Sequence, residues 1–200
     1  MNKDGLINLI KSSGFENIGE IDLKKVEYHA DLRDMCEMNT CGRYGKTWNC
    51  PPVIGSYEKL SSQCKSFSAG LLFSFVSEIE DSFDFEGMSE AGSELCRKLC
   101  KVNIGMQDIA DTQNNDSKQK INNEQVDEKI VAYQLYGSGA CFSCEKCTYP
   151  DEPCRYPEMC FIPIEAAGIY VTQLAKDSGL KYNNGVNTVT FFGMLLFQTK

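Results

Sequence analysis

Eleven cysteines against a single histidine, in 200 residues, constrain this chain more than any other feature. An odd count rules out a molecule in which every cysteine is paired internally. One histidine rules out His-rich zinc and copper sites and leaves thiolate chemistry. The cysteines are also unevenly spread: Cys36, Cys41 and Cys50 share one short stretch, and Cys141, Cys144, Cys147 and Cys154 share another. Clustering of this kind points to a metal or a redox group when the compartment is reducing, and to disulfides when it is not. The opening residues, MNKDGLINLIKSSGF, are too polar and too short in apolar run for a secretory signal. The longest apolar stretches, 71–76 and 191–197, fall well short of the roughly 18 residues of a membrane span. The expectation is a cytoplasmic protein with no membrane role, whose cysteines serve a metal.

Charge narrows the partners. Lys and Arg total 20 against 28 Asp and Glu, a formal net charge of −8. Nucleic acid is not expected as a partner, because phosphate attraction needs clustered positive charge. The chain is 42% apolar, enough for a core without staples, and 24% charged, too little for wholesale disorder.

The second cysteine stretch carries the stronger signal. Cys141, Cys144, Cys147 and Cys154 are spaced C-x2-C-x2-C-x6-C, with Arg155 next. Two-residue gaps let a loop wrap a small inorganic object and aim successive sulfurs at it, as in bacterial ferredoxins. Glycines just upstream, Gly137 and Gly139, allow close backbone approach. The cofactor this implies is an iron–sulfur cluster of the [4Fe–4S] type. A closed zinc site on the same four thiolates is the alternative, although zinc more often uses two separated C-x2-C knuckles.

The first stretch spaces Cys36, Cys41 and Cys50 by four and eight residues, and Pro51 and Pro52 follow. The C-x4-C opening is that of plant-type ferredoxins. Trp48 and Tyr44 are placed to shield a site from water, and Arg43 and Lys46 to offset its charge. Three cysteines are one short for a saturated cubane. One iron stays open, a further ligand joins, or the stretches share ligands, with Cys154 or Cys160 as candidates. Gly45-Lys46-Thr47 imitates the tail of a phosphate-binding loop, but the first required glycine is Thr40 and two prolines block the following helix.

Other cysteines have plainer roles. Cys64, Cys96 and Cys100 fall at helical spacing on apolar faces and read as core thiols. His29 has no companion motif, so no catalytic residue can be named.

The coarse element pattern is a helix over 3–13 ended by Gly14, a strand over 23–30, a helix over 57–67 capped by Ser56, a strand over 69–77, a helix over 89–103, a strand over 129–136, a helix from Pro163 stopped by Gly179, and a strand over 188–197. Residues 111–125 contain one apolar residue and read as a mobile surface insert, placed near 107–127 of an otherwise single metal-binding domain, 1–200. This predicts an α+β (or α/β) fold: a mixed sheet of about four strands with helices packed on it and two cysteine-rich loops.

The run C-x4-C-x2-Y-G-x2-W-x-C-P-P, through Cys36, Cys41, Tyr44, Gly45, Trp48, Cys50, Pro51 and Pro52, resembles the opening signature of a conserved cysteine-rich domain of unknown function. Its members are described as predicted metal-binding proteins and are common in anaerobic bacteria and archaea. The later G-x-C-x2-C-x2-C, then Pro153-Cys154-Arg155 and Pro163-x-Glu165-Ala-x-Gly168, is similar to its second half. The resemblance covers roughly residues 25–200. It implies metal binding at Cys36, Cys41, Cys50, Cys141, Cys144, Cys147 and Cys154, and brings no established reaction. The chain departs from the family in its polar insert and in having Pro163-Ile164 where a Pro-Ser helix start is expected; Cys160 is not among the motif positions.

Together these features predict an iron–sulfur protein with one or two clusters that moves electrons to or from a redox protein partner. The rivals are an enzyme that uses an open iron, and a zinc-binding interaction module.

Overall fold

The two long strands of this chain are apolar on both faces, and that decides the layering. In β2 (Ala69–Glu78), Leu71, Phe73 and Phe75 point to one side of the sheet and Leu72 to the other. In β5 (Thr188–Thr199), Leu195 and Phe197 join the first group, and Phe192, Met194 and Leu196 the second. Successive side chains alternate across a strand, so a strand apolar at every position needs cover above and below. A computed structural model describes residues 3–116 and 129–200 and supplies that cover.

Among the described residues, five strands form one mixed sheet in the order β1-β2-β5-β3-β4. β1 is Asn17–Glu20, β3 is Ile130–Gly137 and β4 is Ile162–Pro163. All neighbours are antiparallel except β3 and β4, which pair in parallel at Tyr136–Ile162 and Gly137–Pro163. One face is covered by α1 (Lys3–Ser12) and α4 (Phe85–Asp116), which bring Leu6, Ile10, Leu95, Leu99, Val102 and Met106 onto the sheet. The other carries α3 (Tyr57–Lys65), α5 (Val171–Asp177) and the 3-10 turn Ile164–Ala167, with Leu60, Cys64, Ile164, Val171 and Leu174 in its core. A short helix, α2 (Asp31–Glu37), leads into the first cysteine stretch. The α+β expectation is met, with helices on both faces of the sheet.

Three local expectations are corrected. Residues 23–30 are not a strand: they form a turn and irregular chain. Leu23, Val26 and Tyr28 pack onto the core beside α3, while β1 takes the edge of β2. The helix expected at 89–103 starts at Phe85 and runs to Asp116, so its last six residues lie where a mobile insert was expected. Nothing in DTQNND breaks a helix, whereas a glycine or proline would. Residues 117–128 of that stretch lie outside the described residues. The helix expected from Pro163 is divided. Pro163 ends β4, Ile164–Ala167 is a 3-10 turn, and Gly168 takes a left-handed φ of +84° before α5. A Cβ at Gly168 would overlap the Tyr57 ring, so this crossing of chains needs glycine.

The sheet positions both cysteine stretches. β3 ends at Gly137, and the second stretch leaves from there over the end of α4 that carries Gly92, Ser93 and Cys96. The chain returns to β3 as β4.

Candidate metal centre

Cys36 lies in the last turn of α2, half-buried. The chain then reverses through Asn39 and Gly42, both at positive φ, and Asn39 Oδ1 accepts the Tyr44 N–H at 2.9 Å. The Gly45 N–H donates to the Pro51 carbonyl at 2.8 Å and closes the loop. Cys41 is exposed and Cys50 buried. Burial pushes the Cys36 and Cys50 thiols up, and each also feels the charge of Cys41. Arg33 opposes the rise at Cys36. The three motif cysteines of this stretch thus share one electrostatic neighbourhood.

Gly45-Lys46-Thr47 is part of this loop and no phosphate cradle. Thr47 is buried and donates its hydroxyl to Asn49 Oδ1 at 3.0 Å, where the Cys50 thiol also donates at 3.4 Å.

The second stretch is seated on α4. Ser93 Oγ donates to the Phe142 carbonyl at 2.9 Å. Gly92 leaves room for the Phe142 ring, which a Cβ would overlap. Beside this contact lies the buried Cys96 of α4, which acts electrostatically on Cys141. Cys160 acts electrostatically on Cys141 as well, and on Cys154. Interaction with the Cys160 and Cys96 thiols holds Cys141 well below the ordinary thiol range, and the same interactions push Cys96 and Cys160 up. Cys141 Sγ and Ser143 Oγ share a further hydrogen bond at 3.4 Å.

Cys96, Cys141, Cys160 and Cys154 thus share one electrostatic neighbourhood. Cys144 and Cys147 are half-buried further along the loop. Cys96 is buried as a core thiol should be, but its sulfur meets the loop above it. Periodicity places a residue on a helix face and says nothing of what crosses that face. Cys64 matches its core reading, donating to the Tyr136 hydroxyl at 3.3 Å. His29 stacks edge-on against Tyr170 and pairs with Glu27.

The two stretches are locked together. Asn49 Nδ2 donates to the Phe161 carbonyl at 3.2 Å, and Trp48 Nε1 to the Glu152 carbonyl at 3.1 Å. Trp48 also meets the Tyr149 ring edge-on at 5.0 Å, and the Arg43 guanidinium lies over Phe142 at 6.0 Å. Trp48, Cys154 and Cys160 line one open cleft of about 570 Å³ with Pro150, Pro153 and Pro157. Glu165 bridges the stretches electrostatically: it accepts the Gly139 N–H at 3.4 Å and its charge raises Cys36, while burial pushes its own carboxyl up.

No group of three or more His, Cys, Asp and Glu side chains forms a ready ion cage among the described residues. The donor set nevertheless fits a thiophilic metal, because soft thiolates select zinc and iron–sulfur clusters over hard cations. Arg33 offers a second sign of fit. Its Nη1 is buried without a partner while its charge acts on Cys36. A thiolate-rich, negatively charged centre supplies the acceptor that such a donor needs.

No helix among the described residues is long and apolar enough to cross a membrane. No curated protein and no solved structure matches the chain. A family model does match, over residues 19–197, and by that match the chain belongs to the family described as predicted metal-binding protein (DUF2284).

Proposed function

We propose that this chain is a cytoplasmic iron–sulfur protein that passes electrons to or from a protein partner through one or two [4Fe–4S] clusters. The ligands are Cys36, Cys41 and Cys50 from the first stretch and Cys141, Cys144, Cys147 and Cys154 from the second. The observation that carries the reading is the docking of the two stretches through Asn49 and Trp48, which brings two thiol groups distant in sequence onto one corner of the fold. Bound there, a cluster supplies one-electron redox chemistry. The chain's own residues orient the thiolates, and Trp48 and Tyr149 cover one flank against water. The net charge of −8 suits a partner with a basic patch, since complementary charge steers encounter. Neither nucleic acid nor a membrane is a partner in this reading. The cleft beside Cys154 favours a second reading, an enzyme with one iron open to a small substrate.

Anaerobic purification tests the proposal. The expected protein is brown and holds iron and acid-labile sulfide, about four or about eight of each per chain. A colourless protein with stoichiometric zinc and no sulfide overturns it in favour of a zinc-binding interaction module. A change in the reduced protein's paramagnetic resonance signal on adding small ligands selects the enzyme reading.

A further inference from the structure

We infer that Cys160, which lies outside both spacing motifs, is a metal ligand of the second stretch. The inference rests on the metal-binding reading above and adds a donor to it. Three features of the fold carry it.

The first is how residue 160 is held. The 3-10 turn Pro157–Met159 brings the chain round, and the Cys160 N–H closes it on the Pro157 carbonyl at 3.2 Å. Ser143 Oγ donates to the Met159 carbonyl at 3.3 Å, and Asn49 Nδ2 donates to the Phe161 carbonyl at 3.2 Å. The residues on either side of Cys160 are thus fastened, one to the second cysteine stretch and one to the first. A ligand needs this kind of support to hold its geometry.

The second is the company of its sulfur. Cys160 lines the same cleft as the motif cysteine Cys154, and Ser143 Oγ, which fastens residue 159, also meets the sulfur of the motif cysteine Cys141 at 3.4 Å. Thiols gathered about one loop gain nothing from packing that smaller apolar groups would not give. As thiolates on one ion, each is paired with positive charge.

The third is access. The cleft that Cys154 and Cys160 line together with Trp48 is open, so an ion can reach both residues from solvent. The ion this donor set takes is thiophilic: Zn²⁺, its spectroscopic substitute Co²⁺, or an iron of a cluster.

The test uses the full chain, prepared anaerobically, reduced and free of metal. It is titrated with Co²⁺ while thiolate-to-metal charge-transfer absorption is followed, and Zn²⁺ then competes. Cys160→Ser is expected to weaken Co²⁺ binding at least about tenfold, the scale seen when a metal site loses an interaction. Cys160→His keeps a donor, so it is expected to bind with nearly wild-type affinity and lower charge-transfer intensity per bound ion. Cys100→Ser, on the flank of α4, is expected to titrate like the wild type. Circular dichroism checks that each variant keeps its helices; if Cys160→Ser does not, Cys160→His carries the decision. Unchanged charge-transfer intensity in Cys160→His, or unchanged affinity in a folded Cys160→Ser, overturns the assignment. A wild-type chain that takes up neither Co²⁺ nor iron overturns the metal-binding reading itself, a failure visible without any variant.

Discussion

Asn49 and Phe161 join the two cysteine stretches by one half-buried hydrogen bond, from the Asn49 amide to the Phe161 carbonyl at 3.2 Å. Asn49 also accepts from Thr47 and Cys50, so one amide satisfies groups on both sides of the junction. Asn49→Ala leaves the Thr47 hydroxyl and the Phe161 carbonyl without this partner. Burying an unsatisfied polar group costs about 1–3 kcal/mol. The expected outcome is a lower denaturant midpoint by that amount, together with less metal per chain after reconstitution. Wild-type midpoint and metal content in the variant would show that the stretches dock without this bond.

Gly92→Ala separates stability from site geometry. Alanine in place of a helix-interior glycine gains about 1 kcal/mol of propensity. Here the added Cβ overlaps the Phe142 ring, and overpacking costs about 1–3 kcal/mol. The balance is a loss of at most about 2 kcal/mol, so the melting temperature should fall by no more than several degrees. The ring must still move, and Phe142 is next to Cys141. Metal affinity is therefore expected to fall by about tenfold or more. The measurement is a chelator competition beside a thermal melt; a large loss of stability with unchanged affinity contradicts this account.

What the sequence made legible was mostly what short-range rules govern. Ser56 accepts the Lys59 N–H as an N-cap, Gly14 and Gly179 take positive φ after their helices, and the apolar runs of β2 and β5 are strands. Residues 23–30 show why a pattern can mislead. Val26 and Tyr28 alternate as in a strand and pack against the core, yet the sheet edge is filled by Asn17–Glu20. That short segment fits there because Gly19 lies against the Ser178 carbonyl, where no Cβ has room. At the candidate site, spacing named the motif cysteines and could not find Cys96 or the contact partners of Cys160. Their positions depend on the 3-10 turn at Pro157 and on which face of α4 the loop crosses.

Asp84 marks the true start of α4, ahead of the Ser89 that the sequence pattern favoured. Its carboxylate accepts the Gly87 N–H at 2.8 Å and the Glu80 N–H at 3.0 Å, and these bonds hold the carboxyl below its usual value. A depressed value means the cap stabilises the fold above the unfolded aspartate value of about 4 and loses that contribution as pH falls through the lower native value. Asp84→Asn keeps an acceptor and removes the charge. Melting curves of the two proteins are expected to differ near neutral pH, with the wild type higher, and to converge in acid. A gap that persists or widens in acid would refute the cap.

Trp48 is the only tryptophan, and it lines the cleft with Cys154 and Cys160. Its fluorescence therefore reports on this cleft and on nothing else in the chain. Binding of iron or Co²⁺ at the thiols should quench it, because these ions absorb where tryptophan emits once thiolates ligate them. Zn²⁺, which has no such absorption, is expected to shift the emission without strong quenching. Trp48→Phe keeps an aromatic body and loses the Nε1 bond to the Glu152 carbonyl, worth about 0.5–1.5 kcal/mol for a neutral pair. That variant should lose the signal, keep most of its metal, and release it faster to a chelator, since one clasp over the cleft is gone. Quenching absent from a wild-type chain that demonstrably holds iron would place the metal away from this cleft.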